Sequence, residues 1–170
     1  KIASFHLSHE NLIKKILKYE NCKKLILSTG VSSSTQMLYI NNLYDEIENT
    51  KPEIAFLHCI SEYPISQPSN FHLSNINHIS RVTNKEVGFS DHSLGTKGPV
   101  YATLLGATII EKHFTLDNKL PGADHSMSAN PEVFKKMIQN CNEANLMLGS
   151  RRLNNFYECE KGSVQFCVNS

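Results

Sequence analysis

Residues 88–95, GFSDHSLG, and residues 107–128, ATIIEKHFTLDNKLPGADHSMS, decide how this chain is read. Ala107-Thr108-Ile109-Ile110 is a compact β-branched run of the kind that forms a strand buried on both faces, and Val87-Gly88-Phe89-Ser90 is a weaker version of it. Between them PVYATLLG, residues 99–106, starts with a proline suited to a first helical turn and ends on glycine, which predicts a short crossover helix. His92 and His113 follow the two strands, each leading into a polar, glycine-bearing loop. Two imidazoles on neighbouring strand ends can share a metal.

The unit recurs outward. Residues 24–28 (KLILS) and 54–59 (IAFLHC) are further buried-strand candidates, and residues 1–4 (KIAS) have the character of the end of another. Successive strands lie roughly 20–33 residues apart, the size of a βαβ repeat. Residues 9–19 place Leu12, Ile13, Ile16 and Leu17 on one helical face, and residues 33–48 do the same with Met37, Ile40, Leu43, Tyr44 and Ile47. Residues 131–148 form the clearest helix, with Pro131 in the first turn, a stripe of Val133, Phe134, Met137, Ile138, Cys141 and Ala144, and Gly149 to end it. About five alternations of strand and helix argue for an α/β fold with a mostly parallel sheet.

Composition narrows the function. At 170 residues, with a net charge of +1 and lysines interspersed among acids, the chain is long enough for one real core and has no basic stripe for nucleic acid or anionic membrane. No apolar run reaches membrane-span length and no signal-peptide core opens the chain, so a cytoplasmic location is expected. Cysteines at 22, 59, 141, 159 and 167 contain no CxxC pair and read as structural or incidental reduced thiols.

KIAS at 1–4, LILSTGV at 25–31, FLHCISEYP at 56–64, GFSDHSLG at 88–95 and GATIIEKHFTLDNKLPGADHSMSANP at 106–131 together resemble the successive motifs of the sialic acid synthase family. That family includes N-acetylneuraminate synthases and their legionaminic and pseudaminic acid synthase relatives. The resemblance is collinear over residues 1–150 and implies a (β/α)₈ TIM barrel of which this chain holds about the last four or five βα units. It further implies that opening strands precede the chain, that residues 151–170 are a linker toward an absent antifreeze-like domain, and that the full-length protein is a homodimer. Phe156 and Tyr157 are possible docking groups within that linker.

The implied reaction joins phosphoenolpyruvate to an N-acetylated amino sugar, giving a nine-carbon sialic-acid-type sugar and phosphate. On the resemblance His92 and His113 are the ligands of a divalent metal, Mn²⁺ or Mg²⁺. Lys1, Ser4, Ser28 and Ser90 match positions that hold phosphoenolpyruvate, Ser61 and Tyr63 match positions facing both substrates, and Asp124 matches a residue on the amino sugar's hydroxyls. Glu111 and Asp124 are expected to act in catalysis. Strand alternation makes Glu111, two residues before His113, a better inward partner for the imidazoles than Asp91.

One position departs from the pattern: His6 stands where the family carries an acid, which bears on the sugar contact. His58 reads as a buried strand histidine and His125 as polar loop surface. Another metal-dependent barrel aldolase or hydrolase is the competing enzyme reading, and a truncated, non-catalytic fragment is the competing non-enzyme one.

Overall fold

The computed structural model describes residues 1–47, 51–149 and 157–164. Four strands, β1 (Lys24–Ser28), β2 (Glu53–Cys59), β3 (Glu86–Asp91) and β4 (Ile110–Lys112), form one all-parallel sheet in the order β1-β2-β3-β4. Ile2 extends it by a single parallel bridge to Leu27, so residues 1–4 contribute one rung, not a strand, and the chain leaves through a 3₁₀ turn at Ser4–His6.

Helices α1 (Glu10–Leu17), α2 (Ser34–Asp45), α3 (Asn75–Thr83), α4 (Lys97–Leu104) and α5 (Pro131–Leu148) connect or follow the strands. A further short helix, α6 (Lys161–Val164), lies in the described part of the expected linker; Phe156 and the rest of 151–170 lie outside the described residues.

Register sorts the side chains into two faces, because successive residues of a strand point to opposite sides. Leu25 and Leu27 of β1, Ile54 and Phe56 of β2, and Val87 and Phe89 of β3 meet Ile13, Leu17, Met37, Ile40, Ile76, Ile79 and Ala102 of the helices in the main apolar core. The other parity carries Ser28, Cys59, Ser90 and Glu111 at the C-terminal strand ends; Cys59 is paired with Ser90, and Ser90 with Glu111. The helix side therefore supplies the hydrophobic driving force, and the opposite side is left to carry chemistry.

Several boundaries differ from the sequence reading. The last strand, expected over 107–110, is regular at Ile110–Lys112, although its pairing starts with Thr108 N–H on Val87 O at 3.0 Å. Ala107 N–H is still bonded to Ala102 O of the preceding helix at 2.9 Å, and Gly106 turns at a φ of +95°, so the first residues of the apolar run are spent leaving the helix. The crossover helix, expected over 99–106, begins two residues earlier because proline is tolerated throughout a first turn, where its missing N–H has no helical partner.

Helix α3 is not expected from the sequence: Ile76, Ile79 and Val82 are its apolar residues amid polar ones, and of these the two isoleucines are buried. Helix α2 ends at Asp45, short of the expected Glu48, which lies outside the described residues. Ser33 and Gln36 form a reciprocal capping box at its start. On α1 Ile13 and Leu17 are buried while Leu12 is exposed, and on α5 Met137 and Ala144 are buried while Ile138 is exposed, so both apolar stripes are narrower than expected.

Candidate functional site

The C-terminal strand ends bring two clusters together. In the first, Ser90 donates to Glu111 Oε2, and Lys1 Nζ lies 3.4 Å from Glu111 Oε1. Burial works to raise the Glu111 carboxyl, but donation from the Ser90 hydroxyl and then the Lys1 charge outweigh it, and the group is held below its ordinary value. Glu111 is therefore ionised at neutral pH and fixes the Ser90 hydroxyl.

Beside this chain of contacts Gly30 sits so close to its neighbours that a Cβ there would fall 2.6 Å from Ser61 Oγ, 2.8 Å from Cys59 Sγ and 3.0 Å from Ser4 Oγ. Three side chains thus converge on one backbone position. Ser28 Oγ and Ser61 Oγ are buried without a hydrogen-bond partner among the described residues. Buried polar groups are nearly always satisfied, so unpaired hydroxyls beside a lysine at a strand end have the character of donors awaiting a ligand. Cys59, read from the sequence as structural or incidental, lines this cluster; burial raises its thiol above the ordinary range.

The second cluster is aromatic. The His92 and His113 rings lie edge to face with centroids 5.4 Å apart, and Tyr63 stacks on His92 at 4.1 Å. Tyr63 precedes a cis peptide bond to Pro64. His92 Nδ1 donates to Ile60 O at 2.6 Å, which leaves Nε2 as the nitrogen with a free lone pair. Burial, opposed by that bond, depresses the His92 imidazole below its usual value, so the ring is neutral at pH 7.

His113 Nδ1 is 3.5 Å from Asp124 Oδ2. Asp124 is therefore the carboxylate placed to orient an imidazole, whereas the hydrogen bonds of Glu111 go to Ser90 and Lys1. The ring contact of His92 and His113 answers the expectation that strand ends bring the two together. Two imidazoles in contact, each with a ring nitrogen already partnered by a backbone carbonyl or a carboxylate, could serve as nitrogen ligands to one divalent ion. Among the described residues no group of three or more His, Cys, Asp or Glu side chains is arranged as a metal site.

Asp124 is held by its own loop. Asn118 Nδ2 donates to His125 O and Ser128 O, both at 2.8 Å, and Ser128 Oγ donates to Asp124 O at 2.6 Å. His125, expected to be polar loop surface, is half-buried and shares a hydrogen bond with Thr115 Oγ1 at 2.7 Å, because the loop folds back on the segment after β4. His58 is the buried strand histidine expected, bonded through Nε2 to Phe71 O at 2.8 Å. His6 is exposed, and its ring packs edge-on against His9.

A parallel α/β sheet with helices on one face and a polar, titratable cluster at its C-terminal strand ends defines the class: a protein whose site is assembled from the ends of several strands and the loops beyond them. The chain belongs to the NeuB family, whose model matches residues 1–152.

It is 37% identical over 153 residues to a pseudaminic acid synthase of Campylobacter jejuni, with 90% of this chain and 43% of that protein aligned. It is 37% identical over 128 residues to the N,N'-diacetyllegionaminic acid synthase of Legionella pneumophila, covering 74% of this chain and 36% of that protein. The crystal structure of an N-acetylneuraminic acid synthetase from Leptospira borgpetersenii superposes with a TM-score of 0.87 at 28% identity, over 99% of this chain and 56% of that one. The chain thus spans less than half the length of these curated relatives. Among the described residues no helix is long and apolar enough to cross a membrane.

Proposed function

We propose that this chain is the C-terminal arc of a TIM-barrel synthase domain, at residues 1–150, that joins phosphoenolpyruvate to an N-acetylated amino sugar and releases phosphate. Residues 151–170 would then lead toward a further domain. The observation that carries the reading is the junction of the two clusters. A lysine with unpaired serine hydroxyls lies beside a pair of imidazoles in contact, at the strand ends of a chain of this family.

In this reading Lys1 and the hydroxyls of Ser4, Ser28 and Ser61 pair with the phosphate and carboxylate of phosphoenolpyruvate, and Ser90 joins them by turning its proton from Glu111 to the incoming anion. Glu111 fixes the Ser90 hydroxyl and balances Lys1. Tyr63, stacked on His92, is placed to face both substrates, and Asp124, with a side chain 62% exposed, is open to sugar hydroxyls arriving from solvent. His92 and His113 would hold Mn²⁺ or Mg²⁺, which supplies Lewis acidity toward the sugar's open-chain aldehyde. C3 of phosphoenolpyruvate bonds to the aldehyde carbon, water adds at C2, and phosphate leaves with cleavage of its C–O bond. Asp124, beside His113, and Glu111, beside Ser90 and Lys1, are the carboxylates this reading assigns to catalysis.

Calorimetric titration of the 170-residue chain with Mn²⁺ tests the site, with circular dichroism to establish folding. Micromolar binding, lost in both His92→Ala and His113→Ala, is expected; a folded chain that binds no Mn²⁺ overturns the metal assignment. In the full-length protein phosphate release from phosphoenolpyruvate should require the amino sugar. Release without it, or amino-sugar turnover without phosphoenolpyruvate, would point to the hydrolase or aldolase reading.

A further inference from the structure

Asp91 and Lys112 are not on the reactive face. They end β3 and β4, are register partners, and point toward the helices, yet both are charged and both are buried: the side chains are 0% and 2% exposed. Lys112 Nζ is 2.5 Å from Asp91 Oδ2. The remaining valences close on one residue, since Asp91 Oδ1 accepts Ser93 N–H at 2.9 Å and Lys112 Nζ also donates to Ser93 O. Each member of the pair is followed directly in the chain by one of the two site histidines, Asp91 by His92 and Lys112 by His113.

From this arrangement we infer that the Asp91–Lys112 pair is a positioning clamp that sets the separation and orientation of His92 and His113. The inference rests on the reading of those imidazoles as a shared site. A buried ion pair gains little net stability over apolar side chains of the same volume, because desolvation cancels most of the attraction. What it adds is definition: here the ammonium is satisfied only where Asp91 Oδ2 and Ser93 O meet, and Ser93 lies on the far side of His92 from Asp91.

Past the β3–β4 ladder, whose last rung is Asp91–Lys112 itself, the backbone hydrogen bonds tie each histidine to its own loop. His92 O accepts from Ile65 N at 3.1 Å, and His113 O accepts from Ala129 N at 2.8 Å. β4 is only three residues long and pairs only with β3 among the described residues, which leaves its C-terminal end weakly registered without the clamp. Gly98, in the first turn of α4, makes room for the carboxylate: a Cβ there would stand 3.2 Å from Asp91 Oδ1 and 2.6 Å from Phe71 Cε1.

The test compares Lys112→Met and Asp91→Asn with Ile79→Val, a conservative core truncation in α3 that leaves the ion pair in place, all in the 170-residue chain at a temperature where circular dichroism shows each folded. Two readouts are taken: the nuclear Overhauser effect between the ring protons of His92 and His113 without metal, and Mn²⁺ affinity by calorimetry. The parent and Ile79→Val should show the ring contact and equal affinity. Lys112→Met should lose the contact and bind Mn²⁺ at least ten-fold more weakly.

If Lys112→Met does not fold, Asp91→Asn decides, since it keeps an uncharged acceptor for Ser93. An unchanged ring contact in the folded variants overturns the clamp, as does an equal loss in Ile79→Val. A parent that shows the contact but binds no Mn²⁺ overturns the metal reading alone, and the clamp is then judged on the ring contact.

Discussion

Gly88→Ala is a severe test of the packing that sets the strand spacing. Gly88 lies in β3 on the face opposite the helices, two residues before Ser90 and directly paired with Leu57. A Cβ at this position would overlap Ile109 O, and would sit 2.6 Å from Leu57 Cδ2 and 2.7 Å from Ile109 Cβ. Leu57 can rotate away. Ile109 O cannot, because it is backbone and accepts Phe89 N–H at 2.8 Å. Restoring normal contact requires the two strands to part by about 1 Å, in an interior packed as densely as an organic crystal.

Overpacking of this kind costs about 1–3 kcal/mol, and a stretched ladder bond adds about 1 kcal/mol. The lower entropy of the unfolded alanine chain returns roughly 0.4–1 kcal/mol of that cost to the denatured side and so adds to native stability. The net loss is about 1–3.5 kcal/mol, which for a chain of this length lowers Tm by roughly 2–14 °C. Thermal melting followed by circular dichroism, with a guanidinium titration as a second measure, reads it directly. A Tm within 2 °C of the parent would refute the argument, since it would mean that the strands separate freely at this rung. The same shift should draw Glu111 away from Ser90, so the variant should also bind phosphoenolpyruvate more weakly than its stability loss explains.

Gly30→Ala should behave in the opposite way: the atoms it meets are the ends of the Ser61, Cys59 and Ser4 side chains, which can rotate, so stability should change by less than about 1 kcal/mol while phosphoenolpyruvate affinity, measured by calorimetry, falls at least five-fold. Unchanged affinity would separate those side chains from the anion pocket. Ser33→Ala removes the α2 capping box and should cost about 1 kcal/mol in a denaturant titration, with Ser33→Asp restoring most of it; a parent-like midpoint in Ser33→Ala would show the cap to be dispensable.

Burial lowers the His58 and His92 imidazoles in the folded chain, so on acidification protons bind the unfolded chain first. Neither group costs stability above its unfolded value of about 6.5, and the loss grows as pH falls below it, so guanidinium midpoints should decline from pH 7 to pH 5; a flat profile would contradict the assigned burial.

The alternation of apolar runs and amphipathic helices is written locally, and the parallel sheet and most helices follow from it, whereas the sequential strand order is a tertiary fact. Period-two alternation likewise places Ser90 and Glu111 on one face, and the histidines beyond them, before any coordinates exist. Helix α3 escaped because its two buried isoleucines are set in polar, β-branched text that has no helical preference of its own; packing against β2 and β3 forms it.

What only tertiary structure decided are relations between residues distant in sequence. The carboxylate beside His113 is Asp124, because the loop after β4 folds back on itself. Cys59 joins the site because Gly30 lets Ser61, Cys59 and Ser4 converge, and Lys112 proves to be the buried partner of Asp91. The physical reason is one of range. Hydrophobic period and turn chemistry act over a few residues and can be read from neighbours in the chain, whereas the ion pair and the hydroxyl cluster exist only once 20 or more intervening residues have packed their strands into register.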